Sequence, residues 1–361
     1  MDANFSTKLA TLRMKSNLSL EELGQRVGVS KQSIHRYETN QKKPSTTTLL
    51  KLSNVFSVHP SEFFVAKDLT KIEINDINFR EGSQIKELEF ELEEIKNFCK
   101  DYLRRLIELQ SLTEDDSKFK NPIKDLKISS RKDVEKAAKK LRTKWKLGNA
   151  PIYDVTDTIE GHGLSIIEIE AISKFHGLSG KVNDDFPFIL INSSVNDITR
   201  RRFTLLHELG HIVLSFAEKL DEDFIEKLCN HFAGAVLLVE DSIASELGRN
   251  RTMISLRELR RIKEKYGASI QAIIIRAKWT KVISDNIFND WWQSYDEWYK
   301  TKGESEDFGS YQSREKPYKL EKLIIRGINE QRITWGKAAR IKNTKVDLLK
   351  RELNELELHV N

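Results

Sequence analysis

Apolar positions recur at helical spacing along most of the chain. Leu9 and Leu12 open one short helix, Leu20, Leu23 and Val27 stripe a second, and Ile34 with Tyr37 faces inward from a third. Ser19, with Glu22 three residues on, forms a capping box, Gly28 permits a sharp turn, and Ser30 caps the helix that follows. Residues 84–112 read as one long helix, in which Ile85, Leu88, Leu92, Ile95, Cys99, Tyr102, Leu106 and Leu109 form a heptad seam. That seam has two readings: a coiled coil between two copies, or packing against the domain formed by residues 130–280 of its own chain. Glu89, Glu91, Glu93 and Glu94 make one end of it acidic. Asn121-Pro122 and Ser129-Ser130 mark a linker, and a helix from Ser130 to Lys146 stops at Gly148 and Pro151. Strand-like runs follow at Leu164–Ile169 and Phe186–Asn192, with a third at Gly177–Val182 between turn residues. Helices resume over Thr199–Phe216 and Asp221–Val239, and the remainder is mostly helical. It carries an aromatic patch (Trp291, Trp292, Tyr295, Trp298, Tyr299), expected as a satellite core, and a polar loop over 301–317. No internal repeat is visible.

A chain of 361 residues holds two or three domains. The net charge of +5 is too small for a polycation, so any nucleic-acid contact must come from a local patch. The two cysteines, Cys99 and Cys229, both fall inside helical patterns, which argues against a disulfide framework and for a reducing compartment. The first residues lack the apolar core of a secretion signal, and no run approaches the roughly 18 apolar residues of a membrane span. A cytoplasmic location is expected.

The segment from Phe203 to Leu214 contains His207-Glu208-x-x-His211 among helically spaced leucines. On a helix, positions i and i+4 share a face, so His207 and His211 can hold one ion between them. Glu208 is turned by about 100° and stands beside the ion, where it can take a proton from water and deliver it to a leaving amine. Zinc is the expected metal, and a catalytic site needs a third protein ligand and an open position. The next helix offers Asp221, Glu222, Asp223, Glu226 and His231. Glu226 is favoured, because Asn230 lies four residues on and can hold a ligand histidine from behind. Ala233, Gly234 and Ala235 would let this helix approach the first closely. His231 is one position off that face.

In the N-terminal segment, Lys31, Gln32, Ser33 and Arg36 point outward from the third helix, with Lys42 and Lys43 in the loop beyond. Gln reads adenine edges, and Lys or Arg reads guanine or holds phosphate. This is a helix-turn-helix arrangement for double-stranded DNA, with only a modest excess of basic residues behind it.

These residues resemble two known families. The N-terminal domain is similar to the Xre/Cro-type helix-turn-helix of bacterial and phage repressors. The rest, to about residue 280, resembles the ImmA/IrrE zinc metallopeptidases through Trp145-Lys-Leu-Gly148, Pro151-Ile152, Gly177-Leu-Ser179, Ile189-Leu-Ile-Asn192, Arg202 to His211, Glu226-x-x-Cys-Asn-x-Phe-Ala233 and Tyr266-Gly-Ala-Ser269. The resemblance implies a zinc endopeptidase that cuts helix-turn-helix repressors, with ligands His207, His211 and Glu226, general base Glu208 and supporting Asn230. The family commonly has proline after the apolar run of the Glu-bearing helix. Val239-Glu240 stands there instead, so that helix is expected to continue.

The expected fold is multidomain and mainly α. An all-α helix-turn-helix domain (1–67) leads through a long heptad helix and linker (68–129) to an α+β zincin-like peptidase domain with a small sheet (130–280). A helical C-terminal region (281–361) follows. The expected function is a DNA-binding regulator fused to an endopeptidase that cleaves a repressor-like protein or itself, the polar segment 113–130 being an accessible cut site. The alternative is a non-catalytic repressor or antitoxin-like regulator whose peptidase fold senses a metal or partner. Phe186–Asn192 is a candidate edge strand for peptide addition, with a core strand as the competing reading. His162 and His176 are candidates for stabilising the oxyanion. A homodimer through residues 85–109 is one outcome of the seam. Residues 333–341 followed by 344–349 resemble a further two-helix turn.

Overall fold

A computed structural model describes residues 3–16, 18–56, 58, 60, 63, 74–79, 85–170, 175–182, 186–249, 251–302 and 308–357. At 3, 4, 7, 11, 15, 74–79, 85–91, 298–302 and 354–357 the description is of the backbone alone. The chain divides into two compact units, one of Met1–Ile72, Lys100–Asp116 and Leu320–Asn361, the other of Glu73–Cys99 and Ser117–Lys319. Among the described residues no helix is long and apolar enough to cross a membrane.

The first unit begins with α1 (Ala3–Lys15), α2 (Leu20–Val27), α3 (Lys31–Glu38) and α4 (Thr46–Phe56). Ser19 and Glu22 close the expected capping box, and Gly28 ends α2 at φ +79°. Gly24 is equally constrained, because a Cβ there would lie 2.6 Å from the Val29 carbonyl oxygen. Only glycine lets the backbone fold back this tightly. Leu9, Leu23, Val27, Ile34, Tyr37, Leu52 and Phe63 form the small core. Arg13 clamps Glu38 with two bonds of 2.7 and 3.0 Å.

The long helix α5 (Ile85–Thr113) contributes its C-terminal part to this unit, together with α14 (Lys319–Asn329), α15 (Trp335–Lys342) and α16 (Val346–Glu357). Leu106 and Leu109 of the heptad seam are buried here with Leu323, Ile324, Ile333, Ala338, Leu349 and Leu353. This part of the seam therefore serves its own chain, which corrects the dimer reading at these positions. At Leu106 and Leu109 the partner surface is the C-terminal helices, whereas the helix up to Cys99 belongs to the second unit. Arg105 donates to the Ile341 carbonyl (2.6 Å), and Glu108 takes Lys337 and Arg340. The side chains of Ile85 and Leu88 lie outside the described residues.

The turn between α15 and α16 repeats that between α2 and α3 at the same offsets. Thr334 caps α15 as Ser19 caps α2, and Asn343 takes the left-handed conformation (φ +57°) nine residues later, as Gly28 does. The Thr344 N–H bonds the Ala339 carbonyl as Val29 bonds Gly24, both at 2.9 Å. The outward faces differ: α16 presents Asp347 and Leu348 where α3 presents Gln32 and Ser33.

The second unit holds β1 (Ile74–Phe79), β2 (Lys127–Ile128), α6 (Arg131–Lys144), α7 (Val155–Gly161), β3 (Ser165–Ile169), β4 (Gly177–Val182), β5 (Phe186–Asn192), α8 (Ile198–Val213), β6 (Ser215–Phe216), α9 (Glu222–Leu237), α10 (Glu240–Leu247), α11 (Leu256–Tyr266), α12 (Ile270–Trp279) and α13 (Asp285–Lys302). The sheet runs β1-β4-β5-β3, with β3 and β5 parallel and the other pairs antiparallel. β5 is thus an interior strand, which overturns its reading as an edge. Phe188, Ile189, Leu190 and Ile191 are all buried, the continuous apolar run of a strand covered on both faces.

One core runs from Ile123 to Phe308, wider at both ends than the expected 130–280, because Ile123, Ile128, Val282, Ile283 and Phe308 pack into it. Trp291, Trp292 and Tyr295 lean on this same core rather than forming a satellite. The Trp298 and Tyr299 side chains lie outside the described residues. The helix bearing Glu226 does not continue: α9 stops at Leu237, and Val239 adopts φ −63° at the cap of α10. Valine here takes the dihedral that proline would impose.

Glu160, at the end of α7, accepts from the Tyr318 and Lys319 amides at 2.8 and 2.9 Å. Burial lifts its carboxyl to about 7, against the pull of those donors and of the Lys319 charge. With the folded value raised, the group's stabilising contribution is full below the unfolded value near 4.5 and is lost as pH rises towards 7. Relative to Glu160→Gln, the native chain should therefore lose up to about 3 kcal/mol of unfolding free energy between pH 5 and 8. Urea melts of both proteins at the two pH values check this; parallel pH slopes would refute it.

Candidate metal centre

The centre is built on α8 and α9, which pack face to face. Asp197 caps α8 through the Thr199 and Arg200 amides, and Asp221 caps α9 through the Phe224 amide. The close approach is made at Gly210, where a Cβ would lie 3.3 Å from Cys229 Sγ and from Phe232 Cδ1. It is not made at Gly234, whose missing Cβ faces Arg276 at 3.9 Å. A glycine at the close approach therefore sits in the histidine helix, and the expectation is corrected at Gly234.

This packing brings His207, His211 and Glu226 together, their ligand-capable atoms all within 4.8 Å of one another. His207 Nε2 and His211 Nε2 are 3.1 Å apart, and Glu226 reaches them with Oε2 at 3.2 Å and Oε1 at 2.9 Å. His207 is fully buried, and Glu226 keeps 22% of its side chain exposed, so the group opens to solvent on the Glu226 side. Burial pushes the Glu226 carboxyl up, but hydrogen bonds and charge from the two histidines outweigh it and bring the group down to about 2.

Asn230 Oδ1 lies 3.0 Å from His207 Nδ1. An amide oxygen can only accept, so Nδ1 carries the proton and Nε2 keeps its lone pair for an ion. Two imidazole nitrogens and a carboxylate, one ring fixed in tautomer from behind, are the donor set of a catalytic zinc site. The residues present fit zinc. Asn230→Ala should therefore weaken zinc about 10–100-fold without removing a ligand. Chelator competition measures this, and an unchanged affinity would count against the tautomer argument.

Glu208 is fully buried on the next face of α8. Its neighbour is Gly177 at the start of β4, where a Cβ would meet Glu208 Cγ at 3.3 Å and Thr204 Cγ2 at 2.6 Å. The requirement for glycine is tertiary: the sequence placed Gly177 at the start of a strand, and only the packing of α8 shows why a side chain does not fit there. Burial, with the charges of Glu226 and Glu208, drives the Cys229 thiol well above its usual value, so it stays protonated and packs.

The other candidates lie elsewhere. Glu222 and Asp223 are exposed. His231 is buried against Glu135 (2.6 Å) and Trp279, and Arg276 holds the same carboxylate. His162 stacks on Trp145 at 4.2 Å and contacts the Thr158 carbonyl. His176 Nε2 sits 2.6 Å from Arg200 Nη2, two turns along α8 from Glu208. In the first unit Lys31, Gln32, Arg36, Lys42 and Lys43 are exposed, and Ser33 is half-buried with its hydroxyl 3.0 Å from that of Ser30.

A helix-turn-helix family model matches residues 9–63, and the peptidase M78 model, described as an IrrE N-terminal-like domain, matches residues 160–278. The chain joins an Xre-type helix-turn-helix domain to an ImmA/IrrE-like peptidase domain. All five residues of the centre fall inside the ImmA/IrrE-like match, and α2 and α3 fall inside the other. No curated protein matches the chain. Among solved structures, Bacillus thuringiensis PlcR in complex with the peptide PapR7 and DNA aligns over 100% of both chains at 9% identity. Its TM-score of 0.20 carries no argument.

Proposed function

We propose that this chain is a DNA-binding transcriptional regulator whose ImmA/IrrE-like domain is a zinc-dependent endopeptidase, cleaving a regulatory protein such as a helix-turn-helix repressor. The observation that carries the reading is the convergence of His207, His211 and Glu226 with a buried Glu208 beside them. A structural metal site has no use for that fourth residue. His207, His211 and Glu226 would hold the ion, and Asn230 would orient His207. Zinc, when bound, polarises a carbonyl and acidifies water. Glu208 takes a proton from water as its oxygen adds to the peptide carbonyl carbon. It then passes that proton to the amide nitrogen as the C–N bond breaks. Gly177, by lacking a Cβ, leaves the space that the Thr204 and Glu208 side chains fill.

For DNA, the exposed Lys31, Gln32 and Arg36 of α3 would face the major groove, and Lys42 and Lys43 the phosphates. Ser33 contributes less than the sequence alone suggests, because its hydroxyl serves the helix cap.

The deciding test is metal content of chelator-stripped, zinc-reloaded protein, with His207→Ala and Glu226→Ala alongside. The expected result is about one tightly held zinc per chain, lost in both variants. No tight zinc in the native chain would end the peptidase reading and leave a DNA-binding regulator.

A further inference from the structure

The matched peptidase domain begins at residue 160, yet its sheet includes a strand from far outside that span. β1 comes from the segment that joins the two matched domains, after residue 63 and before α5. It lies antiparallel on β4, with Ile74 opposite Val182, Asn75 opposite Lys181, Asn78 opposite Ser179 and Phe79 opposite Leu178. The remaining strands run β4-β5-β3, so without β1 the edge on the β4 side would open, while β3 is the other edge in either case.

That edge leads to the catalytic base. β4 starts at Gly177, whose Cα stands against Thr204 and Glu208 on α8. A backbone paired along β4 in the direction of β1 is therefore carried towards Glu208, and Phe79 is one register position short of Gly177. An exposed strand edge takes an extended peptide through main-chain hydrogen bonds, which is how a peptidase can grip a target largely irrespective of sequence.

We propose that β1 is a built-in occupant of the peptide-binding edge of the peptidase domain, and that an extended segment of a protein substrate adds to β4 only when β1 leaves. The proposal rests on the peptidase reading for its consequence, but the pairing is testable without any cleavage. Two features make β1 replaceable. Its register slips between Asn75 and Asn78, so the middle of the strand breaks the ladder. Three of its six residues are Asn or Asp (Asn75, Asp76, Asn78), types that disfavour strands. β1 is held by its tether and its partner strand more than by its own propensity. A tethered segment competes at an effective concentration in about the millimolar range, which a tighter protein partner can overcome.

The test uses the full chain, zinc-loaded, carrying Glu208→Gln so that nothing is cut. It is compared with the same chain in which residues 74–79 are replaced by Gly and Ser. A second variant, Asn75→Pro with Asn78→Pro, guards against a folding defect in the first. Two readouts are expected. Hydrogen exchange of the β4 amides, residues 177–182, accelerates at least about tenfold in both variants while β5 stays protected. A fluorescent peptide of the sequence INDINF, flanked by solubilising residues, binds both variants at least about tenfold more tightly than the parent, as expected when the parent's edge is filled in nine molecules of ten. Equal β4 exchange in all three proteins, or equal peptide affinity, overturns the proposal. Failure of the peptidase reading would appear differently, as absence of tight zinc with the change in β4 exchange intact.

Discussion

Glu208→Gln should abolish measurable peptide hydrolysis, with a loss of about 100- to 10,000-fold in kcat, while zinc content and DNA affinity remain at native levels. The substitution keeps the shape of a side chain that is fully buried between α8 and Gly177. It removes the carboxylate to which the proposed mechanism assigns the water proton. Because His207, His211 and Glu226 form the donor set without it, the metal site stays complete. The comparison is made with purified target protein, zinc by atomic absorption and a gel shift on the same preparations. Hydrolysis at native rate in the variant would show that another group is the base, and parallel loss of zinc would show that Glu208 is structural.

Arg202→Ala should cost the peptidase unit about 3–5 kcal/mol of unfolding free energy, the largest stability effect of any single change considered. The guanidinium is wholly buried and paired with the equally buried Glu315. It also donates to the carbonyls of Ile152 (2.6 Å), Gly267 (3.1 Å), Tyr153 (3.2 Å) and Tyr266 (3.3 Å), and its plane lies over Tyr311 at 4.6 Å. Glu315 in turn accepts from the amides of Val155 and Thr156 at 3.0 Å, at the N-terminus of α7, where a negative charge is favoured. Truncating the arginine leaves a buried carboxylate without its cation and removes a donor from four carbonyls, of which Tyr153 keeps the Tyr311 hydroxyl. A change below about 1 kcal/mol in urea unfolding would mean that the pair is solvated in solution. Arg202→Ala combined with Glu315→Ala should recover part of the loss, since both charges then leave together.

These two residues mark the limit of what periodicity and motif reading can see. Arg202 stands in a helix whose start, paired histidines and apolar face were all legible, because capping, i,i+4 spacing and amphipathic stripes are local properties of a helix. Its partner is 113 residues away in a loop. Nothing in the sequence near either residue signals that the charge is buried, since a charged residue at a helix start reads as solvated.

The helix-turn-helix could be drawn before any coordinates because its tight turn is written in Ser19, Gly28 and Ser30 within a dozen residues. The bounds of β5 were legible because turn residues flank a short apolar run, and β4 was legible only from the turn residues on either side of it. Their neighbours were not. Whether Phe186–Asn192 is an edge or an interior strand depends on which strands lie beside it. One of those, β1, is too polar to declare itself a strand until β4 supplies its hydrogen-bond partners. The heptad spacing of α5 declared the buried positions Ile95, Cys99, Leu106 and Leu109, but periodicity carries no information about what buries them. At Leu106 and Leu109 the C-terminal helices, more than 200 residues further along the chain, decided that. The metal centre divides the same way. Helical geometry alone set His207 beside His211 and put Glu208 on the adjoining face. The arrival of Glu226 and Asn230 from α9, and of Gly177 from β4, waited on tertiary packing, because contacts between distant segments are selected by how whole surfaces fit and not by any one segment's preferences.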